Sequence, residues 1–233
     1  MGRLDTIRAE IMAGRCRGQA LKELIFGQLE LDSGNYGKIG YDELDTFVNC
    51  LLSVREMPVP TVELTAEMVE FYKTPVRVVL EMADRVSWGP GDVFFDLGSG
   101  LGQVVVLIHL LMGVAARGVE IEPAYCDFAS DCALQFGLAG VDFVEGDARV
   151  VDLSAGTVFF LFTPFKGQIF LEVMERLRVL ALAREIRVIG YGPCSAEIPR
   201  LGWLRREGDE DGGEGGESAG EYVLQIFRSC LEH

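Results

Sequence analysis

The sequence predicts an α/β protein: a seven-stranded sheet, mostly parallel with its last strand antiparallel, carrying helices on both faces and a helical N-terminal extension. Three observations support this. From Asp92 onward, short apolar runs alternate with helical stretches, the pattern of a parallel sheet covered on both sides. The first apolar run ends in a glycine-rich turn that opens an apolar helix. Before residue 74, apolar residues recur instead at spacings of three and four, which is helical.

Leu21, Leu24, Ile25, Gln28 and Leu29, then Leu44, Phe47, Val48, Leu51 and Leu52, carry that helical spacing, so residues 1–73 read as a helical extension that lids the site. Met57-Pro58-Val59-Pro60 reads as a connector within it, because each proline biases its predecessor toward extended backbone. Thr74-Pro75 reads as an N-cap followed by proline at the first helical position, with Val76, Val79, Leu80, Ala83 and Val86 as a buried stripe. Trp88-Gly89-Pro90-Gly91 closes that helix.

Strands are expected at 93–97, 118–121, 141–145, 158–162 and 186–191. The segments 203–206 and 222–228 are expected to close the sheet as an antiparallel hairpin around a glycine-rich acidic stretch, 207–221, that reads as a mobile loop. Residues 74–230 thus form the main domain, and 231–233 read as a tag remnant.

The net charge is −15, about half of it from the seven acids between 207 and 221. That balance argues against broad binding to nucleic acid or anionic lipid. The longest apolar run, Val104 to Val114, is too short to cross a membrane. Six scattered cysteines, with no CxxC pair and only two histidines, argue against zinc and for buried free thiols in a cytoplasmic protein. His109 sits in an apolar helix and reads as a buried, hydrogen-bonded histidine, while Cys126 and Cys132 read as helix packing and Lys166 as an exposed lysine. Residues 32–43 imitate a calcium-binding loop, but Gly34 and Tyr36 stand where carboxylates are needed, so a turn between helices is the reading.

The strongest motif is Asp96-Leu97-Gly98-Ser99-Gly100-Leu101-Gly102, between the first strand and the helix that begins at Gln103. Glycines there permit positive φ and close approach of a ligand to backbone, and the helix start offers free N–H groups. The dinucleotide fingerprint G-x-G-x-x-G is not met, since Gln103 stands at its third glycine. Glu120 closes the second strand, where a carboxylate can accept both hydroxyls of a ribose. Gly146-Asp147-Ala148 follows the third strand and offers an acceptor for an adenine amino group, and Thr163-Pro164-Phe165 follows the fourth. All four features fall at the carboxyl ends of strands, where open α/β sheets bind ligands.

On these residues the sequence resembles the Rossmann-like class I S-adenosylmethionine-dependent methyltransferases, over about residues 68–228. Its glycine loop and Tyr72-Lys73-Thr74-Pro75 look most like the histone-lysine methyltransferases of the disruptor-of-telomeric-silencing type and their bacterial relatives. The resemblance implies S-adenosylmethionine as cofactor. It implies that Tyr72, Thr74, Asp96, Gly98, Gly100 and Gly102 stand around the methionine part, Glu120 at the ribose, and Ile121 and Asp147 at the adenine, with Gln103, Ala148 and Thr163 also among the cofactor-binding residues. Phe162, Phe165 and Tyr191 are candidates to line the acceptor slot. Thr163-Pro164-Phe165 lacks the amide and second proline of adenine-directed enzymes, which disfavours a DNA-adenine acceptor. A protein acceptor, with lysine as the candidate nucleophile, is the reading. A small-molecule acceptor and a non-catalytic cofactor-binding adaptor are the alternatives.

Overall fold

The computed structural model describes residues 3–27, 42–52, 57–208 and 222–230. The imitation calcium loop, apart from Asp42 and Glu43, lies outside the described residues, as do most of the acidic stretch and the tag remnant.

The described strands are β1 (Val93–Leu97), β2 (Ala115–Glu120), β3 (Val141–Glu145), β4 (Val158–Leu161), β5 (Arg187–Gly190), β6 (Leu204–Arg206) and β7 (Gln225–Ser229). They form one sheet in the order β3-β2-β1-β4-β5-β7-β6. β1 to β5 pair in parallel, and β7 is antiparallel to both of its neighbours, so it alone runs against the rest. The expected sheet and closing hairpin are both present.

Among the described residues seven α-helices flank it: α1 (Arg3–Met12), α2 (Gly18–Gly27), α3 (Glu43–Leu51), α4 (Val76–Arg85), α5 (Gln103–Met112), α6 (Pro123–Gln135) and α7 (Gly167–Ala181). Alternate strand residues face opposite ways, as the pleat requires. Phe94, Phe160, Ile189 and Ile226 pack with apolar residues of α1 to α6, among them Ile11, Leu21, Leu44, Leu80 and Leu107. Phe95, Phe159, Val188 and Phe227 pack on the other face against Val173, Met174 and Leu177 of α7. Removing the largest of these from water stabilises the fold by roughly 2–3 kcal/mol each.

Two expectations about the N-terminal region need correction. The helical pattern does not run to Lys73: α3 stops at Leu51, and residues 57–75 contain no helix. Pro58, Pro60 and Pro75 break any continuous ladder, and this segment instead crosses the carboxyl edge of the sheet as a strap. Nor does Thr74 cap α4. The N-cap is Pro75, with no side-chain cap of its own, and the Val76 N–H donates to Asp45 Oδ1 at 2.9 Å. The other Asp45 oxygen accepts the Asp42 N–H, and Asp42 accepts the Leu44 N–H, closing a capping box on α3. One carboxylate therefore joins the starts of two helices. Arg77 of α4 pairs with Asp42 and reinforces the junction.

His109 is buried, with Nδ1 2.8 Å from the Val114 carbonyl and Nε2 3.2 Å from the Arg17 guanidinium. Because arginine only donates, Nε2 accepts, and Nδ1 carries the proton and donates to Val114. Burial, assisted by Arg17, lowers its pKa and keeps it neutral. Cys126 and Cys132 are buried as expected, with Cys16 and Cys194, but Cys50 and Cys230 are exposed. No described helix is long and apolar enough to cross a membrane.

Candidate active site

β1 and β4 are neighbours although the chain leaves β1 toward β2, so their carboxyl ends diverge and open a crevice. The strap roofs this crevice to enclose a hollow of about 320 Å³, within the range of small-molecule sites. Asp96, Gly98, Ser99 and Gln103 line it from the glycine loop, Glu120 and Ile121 from the end of β2, Asp147 and Ala148 from the end of β3, and Phe162, Pro164 and Phe165 from beyond β4. The loop, both downstream acids and two of the three aromatic candidates therefore meet around one space.

The strap contributes Tyr72 and Thr74, as the resemblance implied, and also Met57, Val62, Leu64, Met68 and Phe71, which the sequence reading did not single out. Two carboxylates pin it. Glu122 Oε2 accepts the Thr61 and Val62 N–H groups at 2.7 and 2.8 Å, while Oε1 accepts the Ala124 N–H as the cap of α6. Glu67 works in the reverse direction. It projects from the strap to accept the Gln168 and Ile169 N–H groups at 2.9 and 3.1 Å at the start of α7. Just past Glu67, Met68 bridges to Phe165 and Val69 donates to the Pro164 carbonyl.

The glycine loop explains its own composition. Gly100 has φ of +51°, and a Cβ on it would collide with the Phe71 ring, so only glycine lets the strap close there. The Gly100 N–H donates to Glu120 Oε2 at 2.7 Å, and the Glu122 N–H donates to Oε1 at 2.9 Å. Burial pushes the Glu120 carboxyl above its ordinary pKa, against these two bonds, which pull it down. Asp96 is buried, and burial followed by the neighbouring Glu120 charge raises its pKa well above the ordinary aspartate value.

Asp147 behaves differently. Arg149 binds it through Nε and Nη2 at 2.7–3.1 Å, and that hydrogen-bonded ion pair holds the carboxyl below its ordinary pKa. It lines the hollow while already anchoring the turn after β3. Arg176 of α7 fixes the same turn through the Ala148 and Val151 carbonyls.

Four of the residues singled out do not line the hollow. Gly100 is covered by Phe71, and Gly102, the left-handed N-cap of α5, backs onto Phe143 and Ala129. Thr163 has a positive φ of 45°, and its hydroxyl accepts the Cys194 N–H at 3.0 Å and faces the Tyr191 carbonyl at 3.3 Å, joining the ends of β4 and β5. Tyr191 stands behind Phe162, ring centroids 4.9 Å apart, with the half-exposed Tyr222 against both. It supports the aromatic wall without forming its surface.

Two buried oxygens among the described residues, Ser99 Oγ and Gln103 Oε1, have no hydrogen-bond partner, and both residues line the hollow. Buried polar atoms are rarely left so. Asp96 and Glu120, which line the hollow, supply acceptors suited to a ligand that carries ammonium and hydroxyl groups. Among the described residues no group of three or more His, Cys, Asp or Glu is placed to hold a metal ion.

Comparison with known proteins agrees with this geometry. The profile of the family described as Histone methylation protein DOT1 matches residues 56–139, from the strap into the region just past α6. The matched segment holds the strap, the glycine loop and the end of β2, which together form much of the hollow. Among solved structures, this chain is similar in fold to the mitomycin 7-O-methyltransferase MmcR, with 14% identity over 66% of this chain, a TM-score of 0.50, and coverage of about half of that protein (53%). An RNA methyltransferase from Salinibacter ruber in complex with S-adenosyl-L-homocysteine aligns over 68% of this chain and 92% of its own, at 23% identity and a TM-score of 0.45. Precorrin-6y C5,15-methyltransferase from Geobacter metallireducens aligns over 71% and 93%, at 16% identity and a TM-score of 0.49. No curated protein is similar enough to match. The acceptors that line the hollow fit S-adenosylmethionine, the cofactor that the sequence resemblance implies.

Proposed function

We propose that this chain is an S-adenosylmethionine-dependent methyltransferase that methylates an amine on a protein, with a lysine side chain as the acceptor. The observation that supports this reading is the wall of the hollow beyond the glycine loop, where Phe162 and Phe165 face the space. The match of residues 56–139 to a family described by histone methylation points the same way.

In this reading Glu120 accepts the ribose hydroxyls, Asp147 with Ile121 and Ala148 borders the adenine, and Asp96 accepts from the ammonium of the methionine part. The bound cofactor supplies a methyl group on cationic sulfur. An attacking amine must be neutral, and an aromatic wall that excludes water disfavours the charged ammonium. Phe162, braced by Tyr191, and Phe165 hold the amine in line and dry. Positioning and exclusion of water carry most of the burden, so no dedicated base is required.

The test is transfer of labelled methyl groups from S-adenosylmethionine into a size-fractionated cell lysate, with Phe162→Ala as control. Label on lysine in the protein fraction, reduced by the substitution, is expected. Label confined to small molecules would transfer the reading to a small-molecule acceptor. No label, from protein that still binds S-adenosylhomocysteine, would make it a non-catalytic adaptor.

A further inference from the structure

Of the large apolar side chains left exposed, Leu171, Val179 and Leu182 lie on or at the end of α7, on the side of the sheet away from the N-terminal helices. Val150 adjoins them: Arg149 pairs with Glu172, and Arg176 holds the carbonyls on either side of Val150, so this turn lies along α7. Val150 is 77% exposed, which is unusual for a valine in a turn fixed so firmly.

The order of residues along α7 is informative. Leu171, Glu175, Arg178 and Leu182 are separated by four, three and four residues, so they form one stripe about 16 Å long on the outer face of the helix. Read in either direction the stripe is apolar, charged, charged, apolar, and its centre lies between residues 176 and 177. A two-fold rotation about that centre places Leu171 opposite Leu182, and Glu175 opposite Arg178, of an antiparallel copy. The surface complements itself in both shape and charge, which is the requirement for an isologous contact. Within the chain Arg178 already binds Glu175 through two bonds of 2.7 Å, so the paired helices would share a four-charge ring flanked by apolar contacts.

We propose that α7 is a self-association surface and that its occupant is α7 of a second copy of this chain. The contact is a helix pair extended by Val150 and Val179. It is smaller than the interfaces of permanent dimers, so association is concentration-dependent. The carboxyl edge of the sheet, with its strap and hollow, stays open in the pair. The proposal does not rest on the methyl acceptor assigned above.

Sedimentation velocity of the full chain over a hundredfold concentration range tests it, with three further samples: Glu175→Arg, Arg178→Glu, and the two mixed in equal amounts. Both positions are solvent-facing, so each variant folds, which far-UV circular dichroism verifies. The unsubstituted chain is expected to shift from monomer to dimer with concentration. Each reversal places like charges across the axis and weakens the dimer about tenfold or more. The mixture restores it, because the arginine introduced at position 175 of one variant meets the glutamate introduced at position 178 of the other. A chain that stays monomeric at every concentration would overturn the proposal, as would a dimer that neither reversal weakens or a mixture no stronger than its components.

Discussion

Glu120 reaches beneath the glycine loop to accept the Gly100 N–H at 2.7 Å, while the buried Asp96 lies close enough to feel its charge. The site thus keeps two buried carboxyls together, and ionising Asp96 weakens the ligand-free fold. The folded pKa of Asp96 lies above the unfolded one, so the cost is absent below the unfolded value near pH 4 and grows as pH rises toward the folded value. Asp96→Asn is expected to raise the melting temperature at pH 8 by a few degrees, on the order of 1 kcal/mol, with the gain shrinking toward pH 5. The same substitution lowers affinity for S-adenosylhomocysteine. Thermal denaturation at the two pH values, with calorimetry, checks both.

The strap latches have the opposite sign. Gln168 and Ile169 hold Glu67 below its ordinary pKa. For Glu122, burial pushes upward, but the Val62, Thr61 and Ala124 N–H groups outweigh it and the net direction is down. Depressed carboxylates stabilise above the unfolded pKa, and that contribution is lost as pH falls through the folded value. Amide exchange followed by NMR is expected to show protection at Thr61, Val62, Gln168 and Ile169 falling below about pH 4, while Phe94 and Phe95 in the sheet stay protected.

Gly100→Ala adds a methyl group where the Phe71 ring lies, at a φ that L-residues avoid. A loss of about 1–3 kcal/mol is expected, with weaker cofactor binding because the strap cannot seat. Phe71→Ala in the same chain removes the collision and recovers part of the stability, leaving the φ penalty. Denaturant unfolding of the single and double variants measures the coupling.

Asp45→Ala removes the cap shared by α3 and α4 and is expected to cost about 1–2 kcal/mol. Thr74→Ala, at a buried position but removing no cap, is expected to cost less, under about 1 kcal/mol. Equal losses in thermal denaturation would return the cap to Thr74.

What the sequence displayed was local. Strand β1, the glycine turn and α5 follow one another within twenty residues, and the alternating apolar runs placed Glu120 and Asp147 at strand ends. The features it concealed join distant segments. Glu122 binds residues 60 and 61 positions away, Glu67 binds others 101 and 102 away, and Asp45 caps a helix 31 residues on. A carboxylate that satisfies remote backbone looks like any surface acid in the sequence. The helical reading of the spacing that ends at Leu52 runs on to Lys73 for the same reason, since nothing local reveals that N–H groups of the strap are claimed by Glu122 and Pro164. Thr163 matched a family position, yet the meeting of β4 with β5 turned its hydroxyl toward Cys194.

Titration calorimetry with S-adenosylhomocysteine, on the unsubstituted chain and on Glu120→Ala whose folding is verified by its melting curve, tests the assignment of the hollow most directly. One molecule is expected to bind per chain, with affinity falling at least about tenfold in the variant as the ribose loses its acceptor and the Gly100 N–H its partner. No heat of binding by the unsubstituted chain, or equal affinity in the two proteins, would place the cofactor somewhere other than between the glycine loop and Glu120.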